Sequence, residues 1–122
     1  MFAIYDYSNF PEVKVTFNGG PKDDSDFQLF LDQWEKLYED KNNFTFTFDM
    51  KNISYANPKY CYRIANFISE LKKKEIQYLL STTIINFNSL INKLIELVFY
   101  IQKPIARVSI VYEDGTIKII DP

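Results

Sequence analysis

Between Phe44 and Phe48, phenylalanine alternates strictly with threonine, and this alternation constrains the fold more than any other feature of the chain. Successive side chains of a strand point to opposite faces. Phe44, Phe46 and Phe48 therefore make one face apolar, while Thr45 and Thr47 leave the other polar. Such a strand suits a sheet covered by helices on one side only. Downstream, Asp49 is expected to end the strand, a short polar loop follows, and Pro58 opens a helix with Asn57 as its N-cap. Proline is well tolerated at a first helical position, where its missing N–H would have no helical partner. In α/β domains the loop leaving a strand's carboxyl end is where function collects.

The remaining patterns place this segment in a larger order. Two strands are expected at 3–7 and 12–18, separated by a turn at Asn9, Phe10 and Pro11, with Val13, Val15 and Phe17 sharing a face. Gly19, Gly20 and Pro21 break the chain. Phe27, Phe30, Leu31, Trp34 and Leu37 then recur at three-and-four spacing, the stripe of a helix capped by Asp24 or Ser25. A second helix, 58–74, carries Cys61, Ile64, Ala65, Ile68 and Leu71 inward. Residues 76–83 form a more uniformly apolar, central strand. Asn88 caps a third helix at 89–102, with Leu90, Ile91, Leu94, Ile95, Val98 and Ile101 inward. Strands at 107–112 and 116–120 flank a tight turn at Glu113, Asp114 and Gly115.

The resulting order, β-β-α-β-α-β-α-β-β, predicts one α/β domain over residues 1–122. Its single-layer mixed sheet is parallel in the middle, because each helix is a crossover, and the helices pack mainly on one face. A doubly wound nucleotide-binding sheet would require strands apolar on both faces.

Composition excludes several functions. The 122 residues are 47% hydrophobic and 25% charged, as in an ordinary globular domain, and the 17% of aromatics fall mostly at core positions. A net charge of −2 argues against nucleic acid or an anionic membrane as the main partner. The single cysteine, Cys61, allows no internal disulfide and suits a reducing, cytoplasmic setting. The opening MFAIYDYSNF lacks the pattern of a signal peptide, and the apolar region 90–101 is interrupted by Asn92, Lys93 and Glu96. Histidine, the commonest general base and metal ligand, is missing, and so is any phosphate-binding glycine loop. Cys61 lies in a helix's apolar stripe, where a structural thiol is expected. A magnesium site from Asp49 with Glu113 or Asp114 has no spacing to link its members. No catalytic residue, metal or cofactor is therefore expected.

In element order the chain resembles the STAS and anti-sigma-factor-antagonist domains over nearly its whole length. FTFTFDMKNISYANPKY is also similar to their apolar-Asp-apolar-Ser-x-apolar-x-x-Asp-Ser-x-Gly passage. Asp49 matches the strand-end aspartate, Ile53, Ser54 and Tyr55 the loop, and Asn57 falls at the loop aspartate. Pro58 stands where the family carries its phosphorylatable serine. Proline has no hydroxyl, which leaves Ser54 and Tyr55 as the neighbouring groups that would have to substitute. The resemblance implies a regulatory role, with a kinase or a regulated factor as the protein partner.

If strand 76–83 lies beside 44–48, Thr82 and Thr83 should join Ser54, Tyr55 and Asn57 at one hydroxyl-rich pole, with Asp49 at the strand end and Pro58 and Lys59 at the helix start as further interaction candidates. The expected function is then a non-catalytic regulatory protein–protein interaction domain acting through the loop and helix start. Lys14, Thr16, Thr45 and Thr47 suggest a moderately polar open face, for which a second copy of the chain is a further candidate partner. The alternative is a small-molecule or anion site, for phosphate or a nucleotide, at the same helix start.

Overall fold

The structure, a computed structural model, describes residues 1–122. Nine elements follow one another: β1 (Ala3–Asp6), β2 (Glu12–Gly19), α1 (Asp24–Glu39), β3 (Phe44–Ile53), α2 (Lys59–Lys72), β4 (Leu79–Ile85), α3 (Ser89–Ile101), β5 (Val108–Val111) and β6 (Ile117–Ile120). They build the expected α/β architecture, a single mixed six-stranded sheet whose spatial order β1-β2-β3-β4-β5-β6 equals the chain order. The β1–β2 and β5–β6 pairs are antiparallel, and the three inner pairings are parallel. The three helical crossovers all step across the sheet in one direction. Crossovers share one hand, so their helices must lie on one face.

That face holds the core. Val13, Val15 and Phe17 of β2, Phe44, Phe46 and Phe48 of β3, and Val108 and Ile110 of β5 are all buried beneath the helices. From α1 come Phe27, Phe30, Leu31, Trp34 and Leu37, the stripe legible in the sequence. The helix α3 buries only Ile91, Ile95 and Val98. Leu90 and Ile101, expected inward, are instead exposed at 61% and 41%, because they lie one position round the helix from that buried row.

Element ends differ from expectation for local reasons. The N-cap of α1 is Asp23, which accepts the Asp26 N–H at 2.8 Å. Strand β3 does not stop at Asp49. It continues alone against β2 to Gly19↔Ile53, past a register shift, while β4 accompanies it only as far as Asp49↔Ile85. Strand β4 begins at Leu79 rather than Ile76, since Gln77 Nε2 donates to the Leu71 and Lys74 carbonyls (2.8 and 3.2 Å) and finishes α2. Asn88 caps α3 as expected, its Oδ1 accepting the Leu90 and Ile91 N–H groups at 2.9 and 3.2 Å. In the last hairpin Gly115 takes φ +85°, a turn conformation that favours glycine.

Register fixes two rows of the open face that run through all six strands, beside a shorter row of Glu12, Thr45 and Ser81. One is Ile4, Thr16, Asp49, Ile85, Val111 and Ile117; the other is Asp6, Lys14, Thr47, Thr83, Ser109 and Ile119. The face is therefore polar over β2 and β3, but it becomes aliphatic toward β6, where Ile117 and Ile119 are exposed. No helix is long and apolar enough to cross a membrane.

Candidate functional site

The carboxyl ends of the parallel strands form one pole, and the segment from Ile53 to Lys59 crosses it between β3 and α2. Its anchoring begins at the backbone: the Ser54 N–H donates to the Gly19 carbonyl at 2.9 Å, extending the ladder by one bond. Tyr55 then lies over the preceding turn. Its hydroxyl donates to the Pro21 carbonyl at 3.1 Å, and a Cβ placed on Gly20 would come within 2.7 Å of the Tyr55 carbonyl oxygen and 2.8 Å of its ring. Glycine is required at position 20 by this close approach. Ser54, Tyr55, Asn57, Pro58 and Lys59 are all exposed. The N-cap position of α2 is Pro58, one residue after the expected Asn57; Pro58 has helical dihedrals (φ −53°, ψ −24°), and Asn57 Oδ1 still accepts the Lys59 N–H at 3.0 Å.

Two expected members of this pole, Thr82 and Thr83, lie elsewhere, and Asp49, expected at the strand's end, does not stand there. Asp49 sits within β3 on the open sheet face, where its carboxylate accepts the Lys51 N–H at 3.1 Å and meets Lys51 Nζ at 3.7 Å. Thr82 and Thr83 are mid-strand, opposite Phe46 and Thr47, because β4 runs on to Ile85. Consecutive strand residues face opposite ways. Thr82 is accordingly buried on the helix side, and Thr83 is on the open face. What stands at the end of β4 is Asn86, a buried amide that sequence pattern did not single out. It exchanges two bonds with the Asn88 backbone, both 3.1 Å, and shapes the entry to α3.

A charged cluster flanks the loop where α1 and α2 begin. Asp24 Oδ1 receives the Lys59 ammonium and the Tyr60 hydroxyl, both at 3.0 Å, with Arg63 Nη1 at 3.8 Å. Arg63 also donates to Gln28 Oε1 and lies over the Phe27 ring at 4.8 Å. Tyr60 stacks on Phe27 with centroids 4.4 Å apart. Hydrogen bonds from Lys59 and Tyr60 hold the Asp24 carboxyl below the ordinary carboxylate range, and the same bond raises the Lys59 ammonium. The cation nearest the loop is thus already paired. No three His, Cys, Asp or Glu side chains gather as a metal-holding group.

Beneath the loop, between the sheet and the helices, lies a cavity of about 110 Å³. Nineteen of its twenty-one wall residues are apolar, and Asn57 is the one amide among them. Wall residues that also meet solvent are Met50, Ala56, Asn57, Ile64, Leu94 and Phe99, of which Ala56, Asn57, Ile64 and Leu94 mark the opening between the loop, α2 and α3. Cys61 forms part of the wall. Its thiol donates to the Leu94 carbonyl at 3.7 Å, and burial pushes its pKa up, consistent with a structural rather than reactive thiol. A smaller cavity of about 30 Å³ adjoins, sharing Trp34, Phe48, Ile68, Ile84 and Phe99. The indole N–H of Trp34 is buried without a hydrogen-bond partner. Periodicity locates the wall residues on their elements, but the volume left between them depends on side-chain shape, which periodicity does not carry.

Comparison with known proteins finds no matching family model, no matching curated protein and no matching solved structure.

Proposed function

We propose that this chain is a non-catalytic regulatory domain, STAS-like in kind and cytoplasmic, that engages a protein partner through the loop between β3 and α2. The observation carrying this reading is Tyr55. Its side chain is 54% exposed yet held in place by the Pro21 carbonyl and by contact with Gly20. An exposed aromatic ring ordered before binding loses little entropy on docking, the property of an interface anchor. Ser54 and Asn57 add exposed polar groups beside it. The likeness of 44–60 to the STAS passage supports a regulatory partner, such as a kinase or a regulated factor. Pro58 moves any phosphate-accepting role to Ser54 or Tyr55.

The anion-binding alternative has less support. Lys59 is neutralised by Asp24, and Asn57 already occupies a helix-start N–H. Strand order never reverses among the parallel strands, so the sheet lacks the crevice that such reversals create for nucleotides.

Capture from the native host with immobilised wild-type protein, Tyr55→Ala and Ser54→Ala is the test. A protein retained by wild type and lost with Tyr55→Ala supports the reading; equal retention by all three removes the loop from the interface. Phosphate on Ser54 or Tyr55, sought by mass spectrometry of protein from the host, decides the relocated switch. Stabilisation by phosphate or a nucleotide in a melting assay would favour the anion site instead.

A further inference from the structure

We infer that the cavity beneath the β3–α2 loop is a binding site for a small uncharged ligand that is mostly hydrocarbon, a short alkyl chain or a single aromatic ring. Volume sets the class. About 110 Å³ is close to the roughly 150 Å³ at which an apolar protein cavity stays dry and takes up benzene or xenon. The wall sets the polarity. Met50, Cys61, Ile64, Ile91, Ile95 and Val98 offer no group that could pair with a charge, so an ionised moiety inside would be left unsolvated. Water is a poor occupant for the same reason, since it needs two to four polar partners and the wall provides Asn57 only at the opening.

One further observation favours a ligand over a sealed packing defect. The wall reaches solvent at Ala56 and Asn57, which gives an entry path under the loop. A ligand with one polar atom, such as a short alcohol or ketone, would keep that end at Asn57 in the opening and its hydrocarbon inside. The inference stands apart from the loop-docking reading: the cavity can be filled whether or not Tyr55 meets a protein.

Trp34 is the only tryptophan, so its fluorescence reports directly on the wall. Titration with benzene and with 1-butanol should give a saturable change in emission and a rise in melting temperature, larger for whichever ligand fits better. Filling the wall with Cys61→Leu, or narrowing the opening with Ala56→Leu, should weaken that response at least tenfold. Should one variant fail to fold, the other carries the comparison. A crystal held under xenon pressure gives a readout independent of variants, with the atom expected between Met50, Cys61 and Ile95. Xenon confined to the surface, no saturable fluorescence change up to the ligands' solubility, or an undiminished response in the folded variants would each overturn the site. Partner capture by Tyr55 is unaffected by any of these outcomes, so the two failures are separable.

Discussion

The two halves of the core are packed by different means. Under α1 and the first three strands, rings brace one another in all directions: Phe17 and Phe30 meet at 5.1 Å and 80°, Trp34 and Phe46 at 5.3 Å and 88°, Phe44 and Phe46 at 5.1 Å and 77°. Edge-to-face pairs of this kind add about 0.5–1.5 kcal/mol each beyond burial. Every ring pair lies within residues 2–78. Beyond Tyr78 the core is aliphatic, and that half also exposes Leu90, Tyr100, Ile117 and Ile119. The larger cavity lies along the seam, with Phe30 and Trp34 on one side and Ile91, Ile95 and Val98 on the other. The lesson is that one continuous core can be rigid at one end and accommodating at the other.

This contrast can be broken by experiment. Phe30→Ala should destabilise the protein by about 3–5 kcal/mol in urea unfolding, because it removes the ring around which Phe2, Phe17, Phe27 and Phe48 are arranged. Ile95→Val, in the cavity wall, should cost only about 0.5–1.5 kcal/mol. A loss for Ile95→Val above that range would show this wall packed as tightly as the ring cluster. Smaller still, Lys118→Ala breaks a 3.0 Å ion pair with Glu96 on the aliphatic side and should change stability by less than about 1 kcal/mol, as expected for an exposed pair.

The smallest effect concerns acid. Hydrogen bonds from the Lys22 and Phe2 N–H groups hold the Asp26 carboxyl below its usual range and tie the chain's start to α1. A carboxyl lowered by folding contributes fully above its unfolded value of about 3.9 and loses that contribution as pH falls through the folded value. Wild type should therefore lose stability on acidification more steeply than Asp26→Asn. Unfolding curves for both proteins, taken above and below the carboxylate range, check the difference; parallel acid limbs would show that Asp26 does not brace the aromatic half.

Legibility in the sequence followed the same division. The Phe/Thr alternation of β3 and the α1 stripe are strong signals because each apolar residue has one face to occupy, and both elements sit where expected. Asn88 and the Asp114–Gly115 turn were readable because caps and turns need particular residues. The end of β3 was not. Lys51 and Asn52 look like loop residues, yet they belong to a strand because β2 alone supplies their ladder. Ile76 looks like strand, yet it is exposed, since Gln77 closes the preceding helix. A strand ending at Thr83 would place Thr82 and Thr83 at the pole; β4 instead runs on to Ile85, paired to Val111, which no local pattern records, and the two threonines are mid-strand. Ser54, Tyr55, Asn57, Pro58 and Lys59 lie together because they form one continuous stretch between β3 and the start of α2.

Because spatial order and chain order coincide, every strand pairs with the one made just before it. No strand has to be inserted between two that are already in place. A chain emerging amino end first can lay down the aromatic half, complete with its ring contacts, while α3 and the last hairpin are still unmade. The accommodating half then assembles on a finished template, and the sheet grows at its last edge without reopening any earlier pairing.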